Sequence, residues 1–96
     1  MADMEIPWRD GVFLEDILRR IERWISENGL IHAAPVELRK YPGSLHWHLR
    51  RAGISGTLEL TVWPGQRRIW MTRRANRDAL WIAGLPEEFS EYLSKG

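Results

Sequence analysis

Cysteine is absent from the 96 residues. That excludes a disulfide framework and a thiolate metal site, and it predicts a reducing, cytoplasmic setting. Long apolar runs are also missing. None approaches the roughly 20 residues a membrane-spanning helix requires, so no membrane association is expected. The opening Met1-Ala2-Asp3-Met4-Glu5 lacks the basic and apolar regions of a signal peptide. No glycine-rich strand-to-helix turn exists to cradle a phosphate, and Ser26, Ser44, Ser55, Ser90 and Ser94 have no nucleophile-elbow context. Glu87 and Glu88 are adjacent on a helix, so they diverge instead of converging as an acid/base pair. These absences predict no catalytic residue, no cofactor and no enzyme acting alone.

What is present describes a globular chain. At 96 residues the length fits one domain, 1–96, and the 44% apolar content is far from the disordered regime. The formal charge of +1 conceals a split. Residues 39–77 carry nine basic side chains and one acid, Glu59, a net +8; the remainder carries five basic and twelve acidic side chains, a net −7. A field of one sign steers partners of the other, so an acidic partner is expected. Internal neutralisation by the acidic flanks is the plainer alternative.

The pattern predicts an α+β domain in α-β-β-β-α order: a long N-terminal helix packed on a three- or four-stranded antiparallel meander, then a short C-terminal helix. Val12, Phe13, Leu14, Ile17, Leu18, Ile21, Trp24 and Ile25 recur at helical spacing, placing the first helix over about 11–28. Asp10 is its expected cap and Asn28-Gly29 its stop. On its polar side Glu15 and Asp16 stand four residues before Arg19 and Arg20, the spacing for ion pairs. Residues 36–41 read as an edge strand closed by a Tyr41-Pro42-Gly43-Ser44 turn, with Val36 and Leu38 opposite Leu49 and Trp47. Apolar alternation gives strands over about 44–51, 56–63 and 67–74. Pro86 and the acids after it start a helix over about 86–94. Residues 79–82 must bury somewhere, but their pattern does not say as what.

Period-two alternation puts Leu45, Trp47, Leu49, Leu58, Leu60, Val62, Ile69 and Met71 on one face. His46, His48, Arg50, Glu59, Thr61, Trp63, Arg68, Trp70, Thr72 and Arg74 go on the other. Trp63 and Trp70 among arginines suit base stacking if that face is open; packing or a homodimer contact claims them if it is covered. Arginine doublets at strand ends gather Arg50, Arg51, Arg73, Arg74 and Arg77 at one rim, the first candidate for an anionic partner. His46 and His48 point the same way, with Glu59 expected beside them, a geometry open to a metal.

The order helix, three strands, helix is similar to that of the double-stranded-RNA-binding domain. The likeness stops at topology, because the last helix here opens with Glu87 and Glu88 where that family carries basic residues. The expected function is a non-catalytic binding or adaptor module that engages an acidic partner, protein or nucleic acid, through the basic sheet. A nucleic-acid-binding domain is the alternative, and a metal-dependent activity at His46, His48 and Glu59 the third reading.

Overall fold

The computed structural model describes residues 2–95. Three long strands form its centre: β3 (Tyr41–Arg51), β4 (Ile54–Trp63) and β5 (Arg68–Arg73). Leu45, Trp47 and Leu49 stand opposite Val62, Leu60 and Leu58, while Met71 and Ile69 flank Leu60 and Val62 from the other side. A slip of one residue would exchange this apolar set for His46, Glu59 and Trp70, so burial of one face fixes the register.

Helix α1 (Leu14–Glu27) and helix α2 (Leu85–Ser94) share one core with that apolar face. Ile17, Ile21, Trp24 and Ile25 supply the buried stripe of α1. Phe89 of α2 is fully buried, its ring 4.9 Å from that of Trp24 in an edge-on arrangement. Among the described residues no helix is long and apolar enough to cross a membrane.

The sheet has five strands, more than the three or four expected. β1 (Ala2–Ile6) pairs antiparallel with β5, and β2 (Val36–Leu38) pairs with β3, giving the order β1-β5-β4-β3-β2. Met4 and Ile6 stand opposite Met71 and Ile69, while Asp3 and Glu5 stand opposite Thr72 and Trp70. The added strand moves the order of elements further from that of the double-stranded-RNA-binding domain.

Several local expectations are corrected. The helix starts at Leu14, not near Gly11, and Phe13 occupies the capping position with no side-chain cap. Asp10 is too early, because Gly11 at φ +81° turns the chain before the helix begins. Of the two expected ion pairs neither forms: Arg19 bonds Asp16 one position closer, and Arg20 donates to the Leu93 carbonyl of α2 at 3.3 Å. The edge strand ends at Leu38, and Arg39-Lys40 make the turn, so Tyr41 to Ser44 belong to β3. This tighter turn, with a register shift after Val36, sets Val36 opposite His46 and Leu38 opposite Tyr41. Val36 is consequently 57% exposed on the histidine side, not buried against Leu49.

Residues 80–82 form a single 3-10 turn that docks on the start of β4. Trp81 donates its indole N–H to the Ser55 carbonyl at 2.9 Å, and Ile82 is buried. The backbone of Gly56 makes room for them. A Cβ there would lie 2.9 Å from Ala79 Cβ, 2.9 Å from Trp81 Nε1 and 3.2 Å from Ile82 Cδ1.

Candidate functional site

The helix-free face of the sheet carries a polar cluster that the register dictates. His48 stands opposite Glu59, Glu59 opposite Thr72 and His46 opposite Thr61. Glu59 is the single acid of the basic central segment, and its side chain is only 4% exposed. Burying an unpaired carboxylate is costly, so its oxygens must be satisfied. Arg74 holds Oε2 through Nε and reaches Oε1 through Nη2 at 3.3 Å. His46 Nε2 lies 3.1 Å from Oε1, and His48 Nε2 lies 4.0 Å from the same oxygen. Thr61 Oγ1 meets the other ring nitrogen of His46, Nδ1, at 2.8 Å. The two imidazoles are edge-on with centroids 4.9 Å apart. A groove of about 530 Å³ opens above the cluster, with Asn76 and Arg77 on its wall.

The electrostatics follow from this packing. Burial pushes the His46 imidazole below its ordinary value of 6.5; the Glu59 carboxylate pulls it up, and His48 and Arg74 push it down. Thus His46 is neutral in the folded protein near neutral pH. On acidification the unfolded chain takes up this proton before the folded chain does, so the unfolded state gains. Stability should be full above pH about 6.5 and decline as pH falls below it, with the His46→Gln variant showing a shallower decline in thermal melts. An equal decline in that variant would assign the pH effect to other groups.

The aromatic part of the face is closed by the chain itself. Tyr41 sits edge-on to both Trp63 and Trp70, with centroids 4.9 and 5.0 Å away. Arg68 covers the Trp70 ring at 4.6 Å while forking onto Glu5 at 2.9 and 3.1 Å. Trp70 is left 7% exposed, and Trp63 donates its N–H to the Pro42 carbonyl at 2.9 Å. Packing therefore claims the Trp70 ring, and a base stacked there would have to displace Tyr41 or Arg68, whereas Trp63 keeps part of its surface open.

The five-arginine rim is likewise divided by what each guanidinium meets. Arg73 forks onto Asp78 at 2.7 and 3.1 Å, which holds the Asp78 carboxyl below the usual carboxylate range. Arg51 donates to the Asn28 carbonyl at 3.1 Å and lies over the Trp81 ring. Arg74 is on Glu59, whereas Arg50 and Arg77 are exposed and make no ion pair among the described residues.

A second cleft, about 540 Å³ between α1 and α2, is lined by Arg19, Arg20, Arg23, Tyr92 and Lys95. The sequence assigns Arg19 and Arg20 to ion pairs along α1 and does not reveal this cleft. The signal was present in Arg19, Arg20 and Arg23 at helical spacing, but the approach of α2 was not legible. Exposed pairs of Arg19 with Asp16 and Arg23 with Glu27 occupy two of its cations.

Compared with known proteins, the chain matches no family model, no curated protein and no solved structure.

Proposed function

We propose that the protein is a non-catalytic, cytoplasmic binding module that holds an acidic segment of a partner protein along the groove beside β2, β3 and β4. The observation that carries this reading is the arrangement of charge in that groove. Arg74, Arg77 and the half-exposed His48 line the opening, and the single acid, Glu59, is buried beneath its arginine. An acidic segment would meet cations at the surface and no exposed carboxylate of the groove itself. One-sign clefts of this kind raise the local concentration of oppositely charged ligands.

A second copy of the chain is not needed to cover Trp70, since Tyr41 and Arg68 already do so. This favours a heterologous partner over a homodimer. The closure of Trp70 also favours protein over single-stranded nucleic acid, which gains much of its affinity from stacking.

The test is titration of a glutamate-rich peptide and of a single-stranded oligonucleotide at low and physiological salt. The peptide is expected to bind, with affinity falling as salt screens the surface charges. The variant Arg77→Glu should weaken it about ten-fold, as loss of a groove cation and gain of a repulsion requires. Unchanged peptide binding in that variant would sink the reading. Binding of the oligonucleotide alone, with a steep salt slope, would replace it with nucleic-acid recognition.

A further inference from the structure

We propose that His46, His48 and Glu59 form a site for one divalent first-row transition metal, with zinc the best fit to the donor set. The proposal stands apart from the acidic-partner reading, because metal uptake is measured with no partner present. Its basis is convergence. Residues two apart on β3 project to the same face, and the β3–β4 register places Glu59 directly opposite His48. One ligand atom from each of the three side chains lies within 4.8 Å of the others. Both Nε2 atoms aim at a single carboxylate oxygen, Glu59 Oε1, at 3.1 and 4.0 Å.

Two nitrogens and one carboxylate oxygen are a donor set that zinc takes readily, and an open fourth position is usual for three-ligand sites. Tetrahedral bonds of about 2.0–2.1 Å put ligand atoms about 3.3 Å apart, so the trio must draw together. The contraction falls on His48, whose side chain is 51% exposed and therefore the least constrained of the three. The fourth position would face the groove.

The surrounding contacts are those that orient ligands. Thr61 Oγ1, 2.8 Å from His46 Nδ1, can accept the proton of Nδ1 and so turn the lone pair of Nε2 toward the metal. Arg74 grips Oε2 through Nε and fixes the carboxylate plane with Oε1 directed at the histidines. The positive guanidinium opposes a dication. Its side chain is 45% exposed, however, and its second contact, Nη2 to Oε1 at 3.3 Å, is the one that gives way.

The full-length protein, stripped with a chelator, should be titrated with cobalt(II) while its visible ligand-field absorption is followed, then with zinc in competition. One cobalt ion per chain, an intense band of low coordination number and displacement by zinc are expected. His48→Ala removes a ligand from a half-exposed position, so it should fold normally and lose at least about ten-fold in affinity. The near-isosteric Thr61→Val touches no metal, and loss of its supporting bond should cost about 10- to 100-fold while far-UV dichroism is unchanged. Absence of stoichiometric uptake by the wild-type protein would overturn the proposal. So would a His48→Ala protein that binds cobalt as tightly as wild type, since the ion would then sit elsewhere.

Discussion

Replacing Gly56 by alanine is expected to destabilise the protein by about 3–5 kcal/mol, combining an unfavourable backbone with overpacking. Gly56 adopts φ +120°, a conformation that side chains disfavour, and the added methyl would meet Ala79, Trp81 and Ile82 at or inside contact distance. Two of those three neighbours are not free to yield. Ile82 is buried, and Trp81 is tied to the Ser55 carbonyl. For a chain of this size the loss corresponds to a fall of about 12 °C or more in melting temperature. Gly53→Ala is the matched control. Its φ is also positive, at +75°, but nothing lies within 4 Å of the new Cβ, so only the backbone cost of about 1 kcal/mol remains. Equal melting temperatures for the two variants would show that residues 79–82 do not press on β4.

Phe89→Ala should cost about 3–5 kcal/mol by leaving a cavity where α2 meets the core. Phe89 is fully buried, and its edge-on contact with Trp24 joins α2 to α1. Beyond it α2 buries only Leu85 and Pro86, both at its first turn. Its later turns pack the partly buried Tyr92 and Leu93 against the same core, and their carbonyls accept from arginines, Leu93 from Arg20 and Ser94 from Arg9. Denaturant unfolding gives the magnitude, and hydrogen exchange shows whether the amides of α2 open ahead of those of β4. A loss under about 1 kcal/mol would mean that the two helices do not depend on this ring.

How far the sequence foretold this structure depends on how local each feature is. The register of β3, β4 and β5 was legible because alternation recurs in three neighbouring segments joined by short turns. Glu59 beside His46 and His48 follows from that register alone. β1 was overlooked although Asp3, Met4, Glu5 and Ile6 do alternate. Four residues are a weak pattern, and their partners in β5 lie more than sixty positions away. The edge strand was misplaced because Pro42-Gly43 resembles a turn more than Arg39-Lys40 does. The fate of Trp70 could not be read from parity. Parity assigns it to the helix-free face, but its burial is decided by Tyr41 and by an arginine held in place by Glu5. The charge split was visible at once, whereas its meaning was not: Glu5 and Asp78, both outside the basic segment, neutralise Arg68 and Arg73.

The pairing of β1 with β5 also sets an order in time. Ala2 finds its partner in Arg73, about seventy positions later in the chain. At a synthesis rate of about 5–20 residues per second, β1 waits several seconds for the strand it joins. During that interval Met4 and Ile6 have no sheet to cover them, and the edge of β5 does not yet exist. The fold therefore closes late, and its earliest strand is among the last to be placed.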